Sequence, residues 1–132
     1  MALSFEQQIR RIIDNRAEVS QEIFTASCIQ VSEKVITRTP VDEGRARGNW
    51  NASINSADDS TSDTRRASQA QSDARSTAGR LRLGDTFHLT NGLPYIRPLE
   101  YDRLSRQAPN GMVRITLDEF NAALREIVRR VS

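Results

Sequence analysis

One long helical pattern, from residue 4 to about residue 37, limits how a chain of 132 residues can fold. Large apolar residues recur on one broad face of this predicted helix: Phe5, Ile9, Ile12, Ile13, Val19, Ile23, Phe24, Val31 and Val35. The pair Thr39-Pro40 ends the pattern, because the residue before a proline is pushed out of the helical region. Unbroken, the helix would span roughly 50 Å at about 1.5 Å per residue, which exceeds the core diameter of so small a domain. We therefore expect either a kink near Arg16 and Ala17 or docking of the helix on a neighbouring molecule.

A turn and a strand are predicted directly after this helix. Residues 40–44 have the composition of a turn in which Gly44 can take a positive φ. From Arg45 to Ile54, small or aromatic residues alternate with polar ones, and a period of two is typical of a half-buried strand. The predicted inner face is Ala46, Gly48, Trp50, Ala52 and Ile54, and the predicted outer face is Arg45, Arg47, Asn49, Asn51 and Ser53.

Residues 55–80 form a polar segment that contains no large apolar residue. One interpretation is disorder, since such a composition buries too little apolar surface to offset the entropy of folding. The other is a polar helix with a thin alanine stripe at helical spacing: Ala67, Ala70, Ala74 and Ala78. Ser60 or Ser62 with Asp63 would cap its start, and Gly79 would stop it. We favour the helix, ordered mainly through contacts with other subunits.

Two further strands and a final helix are predicted in the last third of the chain. Residues 85–90 alternate as a strand, and residues 112–115 form a second short strand. Thr116 opens the final helix, with Glu119 completing a capping box. The apolar stripe of this helix is Leu117, Phe120, Leu124, Ile127, Val128 and Val131.

These elements predict an α+β fold, in which a long N-terminal helix and a C-terminal helix pack on a small, mainly antiparallel sheet, with a polar middle helix or loop. The length suits a single domain over residues 1–132, with a variable segment at about 55–80. Hydrophobic residues make up 37% of the chain and aromatic residues 5%, which is low for a self-sufficient domain. We therefore expect part of the chain to be extended, polar, or completed by a partner.

Cysteine and histidine, which commonly carry catalysis or bind metals, are scarce. Cys28 is the only cysteine and His88 the only histidine, so the residues of a zinc site are missing. We expect Cys28 to be a small buried residue and His88 a solvated strand residue. Asp58 and Asp59 are adjacent, which does not bring two carboxylates to one side of a helix or strand, and they are more typical of capping. Phosphate-loop, dinucleotide and nucleophile-elbow patterns are missing as well. We expect no enzymatic activity, no cofactor and no metal.

Arginine supplies almost all of the positive charge. Lys34 is the only lysine, and the formal net charge is +2 at an isoelectric point near 9.2. The planar guanidinium suits multidentate contacts at interfaces, although a bias towards arginine codons gives the same composition. No stretch has the roughly 20 apolar residues of a membrane span, and the start MALSFEQQIRRIID lacks the continuous apolar region of a signal peptide. We expect a soluble protein, synthesised in the cytoplasm, with no membrane partner.

Three segments carry a resemblance to a known family: TPVDEGRARGNW (39–50), LTNGLPYIRPLEY (89–101) and QAPNGMVRITLDEF (107–120). In this order, after a long helix and around a variable polar middle, they resemble the neck or tail-completion proteins of long-tailed bacteriophages, the tail-component family of the head–tail joining region. The resemblance covers both ends of the chain and leaves residues 55–80 as the divergent part. It implies a structural virion protein located at the neck or the upper end of the tail.

The resemblance also implies a ring of identical subunits, expected to be sixfold, that acts as a connector, completion or terminator protein. Such a ring would stack between a head-side connector or stopper protein and the tail tube protein, leaving a channel through which double-stranded DNA passes without its sequence being read. Each subunit of a ring makes heterologous contacts with two neighbours. The predicted turn and strand supply the subunit-interface hypothesis, with Asp42, Glu43, Arg45 and Arg47 as its residues. The alternative is a solvated charge cluster of little energetic consequence.

The polar middle segment is the candidate for a lumen-facing or partner-facing element, represented by Arg65, Arg66 and Arg75. A channel in which DNA slides should be polar and of mixed charge, and this segment mixes arginine with aspartate. The alternative function is a small DNA-binding or regulatory protein that uses the arginine-rich middle to bind phosphates without reading bases.

Overall fold

The computed structural model describes residues 5–40, 44–101 and 110–131, and among the side chains of residues 5–13 it describes that of Gln7. The described part has an α+β fold, as the sequence predicts, with one two-stranded antiparallel sheet. The elements in chain order are α1 (Phe5–Arg38), α2 (Gly44–Gly48), β1 (Trp50–Ile54), α3 (Ala67–Ala78), β2 (Phe87–Asn91), α4 (Ile96–Tyr101), α5 (Val113–Asp118) and α6 (Phe120–Val131). Within these ranges, no helix combines the length and apolar character that a membrane crossing requires.

The predicted long helix is confirmed: α1 continues for 34 residues and includes Arg16 and Ala17 without a break in the helix. Its end at Arg38 is followed by Thr39, whose amide and hydroxyl both donate to the carbonyl of Val35, at 3.1 and 2.8 Å. Buried Pro40 comes next and cannot continue the helix. The two ends of α1 differ in environment, since residues 14–18 are exposed whereas Val35 and Ile36 are fully buried.

The hydrophobic core gathers around the C-terminal half of α1. Its buried members are Val35, Ile36, Ala46, Trp50, Ala70, Leu93, Leu99 and Met112. Trp50 supplies the bulk that the sequence predicts, and its indole N–H donates to the hydroxyl of Thr39 at 2.9 Å. The core therefore joins α1 to α2, β1, α3 and α4 at one end of the long helix.

The strand predicted over residues 45–54 is half correct. Residues 50–54 form β1, but residues 44–48 form the short helix α2. Small residues mixed with arginine favour no particular period, and the contacts that Arg47 makes with the end of α1, described below, decide the local structure. The strand predicted near residues 85–90 is confirmed as β2, which pairs with β1 from Trp50 opposite Asn91 to Ile54 opposite Phe87.

The polar middle segment contains the predicted helix, which excludes the disordered interpretation for residues 67–78. Ala70, Ala74 and Ala78 are buried, and α3 packs against α1 and β1 through this stripe of small side chains. The helix begins at Ala67 rather than at the predicted serine caps, and it ends at Gly79 as predicted. Its alanine stripe packs within its own chain, and the expected contacts with other subunits stay a prediction.

The predicted strand at residues 112–115 is wrong, because α5 begins at Val113. The carboxylate of Glu100 accepts hydrogen bonds from the amides of Met112 (3.0 Å) and Val113 (2.7 Å), which stabilises a helical first turn despite the β-branched residues there. Thr116 does not cap the last helix, since it lies inside α5 and its hydroxyl donates to the carbonyl of Met112 at 2.7 Å. The final helix itself is confirmed as α6.

Candidate functional site

The four residues of the subunit-interface hypothesis do not share the face of a strand. Arg47 turns back towards α1, and its guanidinium donates to the carbonyls of Thr39 and Thr37, each at 2.6 Å. Carbonyls in the last turn of a helix lack partners inside the helix, so Arg47 closes the corner between α1 and α2. Arg45 is exposed and forms an ion pair with Asp63 at 2.9 Å. Asp42 and Glu43 lie outside the described residues.

The strand face predicted to meet solvent is covered by the polar loop, residues 55–66. Asn49 donates to the carbonyl of Ser62 at 2.9 Å and accepts from its amide at 2.7 Å. Asn51 donates to the carbonyls of Asp58 (3.0 Å) and Ser60 (2.7 Å). Both asparagines are buried, because a carboxamide can satisfy backbone donors and acceptors at once. This is how a loop without large apolar residues acquires a defined path.

Arg65, the first of the predicted lumen-facing residues, is mostly buried and bonds to several elements of its own chain. Its side chain is 19% exposed, and one terminal nitrogen donates to the Asn51 side chain at 2.6 Å and the Trp50 carbonyl at 3.2 Å. The other terminal nitrogen pairs with Asp73 of α3 at 2.7 Å. The backbone of Arg65 also lies against Gly48, where an added Cβ would come within 1.8 Å of the Arg65 carbonyl oxygen. Arg65 therefore ties β1, the polar loop and α3 together.

The other two predicted lumen-facing residues lie on α3 or beside it. Arg66 immediately precedes α3, and its side chain is exposed. Its backbone amide donates to the side-chain oxygen of Gln69 at 2.8 Å. Arg75 is exposed and forms an ion pair with Glu33 of α1. Of the three arginines, Arg66 and Arg75 present their side chains to solvent, and Arg65 does not.

A polar cleft of about 420 Å³ lies between the polar loop and α3. Its charged groups bond within the chain. Hydrogen bonds from the hydroxyl and the amide of Ser60 lower the pKa of Asp58, and Arg80 donates to the Ser76 carbonyl at 3.3 Å. Because Arg65 and Asp73 also bond to each other, the cleft is a seam that joins the loop to the helix.

An apolar groove of about 440 Å³ runs along the other side of α1. Its walls come from α1, from the start of β2 and from the α5–α6 junction, and its lining is almost entirely apolar. The lining residues are Phe24, Ser27, Cys28, Val31, Asp85, Thr86, Phe87, Leu117 and Phe120. Leu117 at its edge is 57% exposed, which is unusual for a leucine that the sequence assigns to a core stripe.

Two polar atoms modify the floor of this groove. Ser27 is 9% exposed, and its hydroxyl has no hydrogen-bond partner among the described residues, a costly state for a buried polar group. Burial raises the pKa of the Cys28 thiol to about 11, so this half-buried cysteine stays protonated near neutral pH. The groove can accept large apolar side chains together with one polar group placed over Ser27.

Sequence patterns predicted most of the apolar residues of the groove but not the groove itself. Phe24 and Val31 belong to the predicted stripe of α1, and Leu117 and Phe120 to that of the last helix. A stripe shows that a face is apolar but not whether a second face meets it. Ile127 on α6 is buried, whereas Leu117 on α5 is exposed at the edge of the groove.

The described residues include no group of three or more His, Cys, Asp or Glu side chains that could hold a metal ion. Comparison with protein-family models, with curated proteins and with solved structures finds no match for this chain.

Proposed function

We propose that this chain is a structural subunit of the head–tail junction of a tailed bacteriophage. It forms a ring, expected to be sixfold, that joins the head-side connector or stopper protein to the tail tube protein and leaves a channel for double-stranded DNA. The choice of this protein class rests on a sequence resemblance to neck and tail-completion proteins, which is carried by residues 39–50, 89–101 and 107–120.

The structural observation that carries the proposal is the open apolar groove. Leu117 and the half-buried Phe24, Phe87 and Phe120 give the chain a concave apolar surface beside a core that occupies one end of α1. Apolar surfaces of this kind mark interaction sites more often than enzymatic ones when convergent polar groups are missing. A ring contact would bury the groove and complete the core that the composition leaves small.

The arginine contacts favour the ring over the alternative of a DNA-binding protein. Arg47 and Arg65 bond to backbone carbonyls, and Arg45 and Arg75 each pair with an acidic residue of the same chain. Binding of DNA through phosphates depends on cations that can replace condensed counterions. Arginines already bonded within the chain contribute little to such binding, and Arg65 is turned away from solvent.

The proposal is tested by measuring the assembly state of the purified chain by native mass spectrometry and imaging the same sample by electron microscopy. We expect closed rings, and we expect Leu117→Asp to abolish them because a carboxylate at the groove edge would have to be desolvated. Asn121→Asp is the matched control, since it adds the same charge at an exposed position of α6 that does not line the groove.

DNA binding measured over a salt titration separates the two functions. Rings with weak DNA affinity support the proposal. A monomer or dimer that binds DNA with a steep salt dependence, unchanged by Leu117→Asp, would overturn it in favour of the DNA-binding alternative.

A further inference from the structure

The N-terminal part of α1 extends away from the core. Residues 14–18 and Ser20 are exposed, and the core members on α1 lie in its last turns, at Val35 and Ile36. At about 1.5 Å per residue, Phe5 lies roughly 28 Å along the helix from Phe24, the residue at which the groove wall begins. A helical arm of about four turns therefore precedes the part of α1 that packs in the body.

This arm has the sequence of a segment that inserts into a groove. In the sequence, Phe5, Ile9 and Ile12 stand at positions i, i+4 and i+7, the spacing that is typical of the apolar stripe of a helix. Helices that bind in apolar grooves use this spacing for their anchor residues. The arm sequence also contains polar residues, which could bond to the Ser27 hydroxyl, a group without a hydrogen-bond partner among the described residues.

The arm cannot reach the groove of its own chain. One wall of the groove is α1 itself, at Phe24, Ser27 and Val31, and α1 is one continuous helix from Phe5 to Arg38. A rigid helix cannot fold back upon its own later turns without a break, and the hydrogen-bonded helix has none in this stretch. An arm that enters the groove must therefore come from another molecule.

We propose that the N-terminal arm of α1, residues 5–20, occupies the apolar groove of a neighbouring copy of this chain. The inference deepens the ring proposed above and rests on it. Arm and groove are different surfaces of the same subunit, so the contact is heterologous, and each copy offers an arm to one neighbour and a groove to the next. Such a contact repeats around an axis until the ring closes.

Disulfide trapping tests this arrangement directly, because Cys28 lines the groove and is the only cysteine in the chain. Ile12→Cys places a second thiol at one of the three apolar positions with this spacing. The matched control is Asp14→Cys, at an exposed position two residues further along and about 200° around the helix. Oxidation is carried out at alkaline pH, since the pKa of Cys28 is about 11 and the thiolate is the reactive form. Adding Cys28→Ser to each variant identifies the bond.

We expect Ile12→Cys to give a ladder of covalent multimers that ends at the size of the ring, with at least a tenfold lower yield from Asp14→Cys and none after Cys28→Ser. Rings that form without this ladder would overturn the arm-in-groove contact and leave the ring proposal intact. Products that stop at the dimer would show a reciprocal exchange of arms, which supports the contact and refutes the ring. Protection of Cys28 from alkylation only after addition of tail tube protein would assign the groove to that partner and overturn the inference.

Discussion

Arg65 should contribute more to stability through backbone and amide acceptors than through its ion pair. Replacing it by alanine leaves the carbonyl of Trp50 and the side-chain oxygen of Asn51 without their donor, in a region where Asn51 is buried. The same change removes the pair with Asp73, whose side chain is 63% exposed. The two contributions can be separated, because Asp73→Ala removes the ion pair alone.

The magnitudes differ enough to be measured. A hydrogen bond from a charged donor contributes about 1.5–3 kcal/mol, and an acceptor left unsatisfied costs about as much, so Arg65→Ala should lower the free energy of unfolding by about 3 kcal/mol. For 132 residues, an unfolding entropy of about 2.1 cal/mol/K per residue converts this into a fall in Tm of roughly 11 °C. Asp73→Ala should cost less than about 1 kcal/mol, because water screens a half-exposed pair.

Both variants are measured by thermal unfolding followed by circular dichroism and by urea titration. The control is Arg82→Ala, since Arg82 is exposed and its replacement should change the free energy of unfolding by less than about 0.5 kcal/mol. Arg65→Lys should recover less than half of the loss, since a single ammonium cannot donate along three directions as the guanidinium does. Equal losses for Arg65→Ala and Asp73→Ala would refute the reasoning, because they would show that the ion pair accounts for the effect.

Two further predictions concern the buried carboxylate and a close backbone approach. Burial alone would raise the pKa of Glu100, but hydrogen bonds from the first-turn amides of α5 and from the Arg114 guanidinium outweigh it, so the pKa is lowered. Its stabilising contribution is therefore complete above the unfolded pKa of about 4.3 and disappears as the pH falls through the lower folded value. Glu100→Gln should lower the free energy of unfolding by about 2–3 kcal/mol at neutral pH. Urea titrations in which the stability difference between wild type and Glu100→Gln does not narrow in acid would contradict the assignment. Gly48→Ala should cost at least about 1–3 kcal/mol, because its Cβ would collide with the Arg65 carbonyl. Gly79→Ala, at φ −66° with ordinary contacts, should be neutral or stabilising by about 0.4–1 kcal/mol, and similar Tm values for the two variants would show that the approach at Gly48 is not tight.

Elements with a long, regular apolar pattern were predictable from the sequence. The helix α1 with its end before Pro40, the helix α3 with its buried alanines and the helix α6 all appear in the structure. Short segments were less predictable. In residues 44–48, Arg47 donates to a carbonyl at the end of α1, and at residues 112–113 the amides donate to the carboxylate of Glu100. The bonding partners lie eight or more residues away, so local propensity does not reveal them.

The sequence predicted which residue types form the candidate site but not how they are arranged. Sequence reasoning named arginines as interface or lumen residues from their type, but Arg47 and Arg65 are turned inward by carbonyl groups whose positions depend on the fold. It assigned Phe24 and Leu117 to core stripes, and the structure separates them enough to leave a groove. Whether two apolar faces meet depends on the angle between helices, which a single sequence does not specify.

In the ring proposed above, the division of the chain into a polar seam and an apolar groove would let each subunit be folded before a neighbour covers its groove. Asn49, Asn51 and Arg65 fix the polar loop by hydrogen bonds on one side of the body, so the order of that region does not depend on apolar burial. Part of the apolar surface that this arrangement leaves exposed lies at the opposite side of α1, in the groove around Leu117. A change in the groove can therefore alter assembly while the seam and the core retain their contacts, which is why assembly and unfolding measured on the same variant report on separate parts of the molecule.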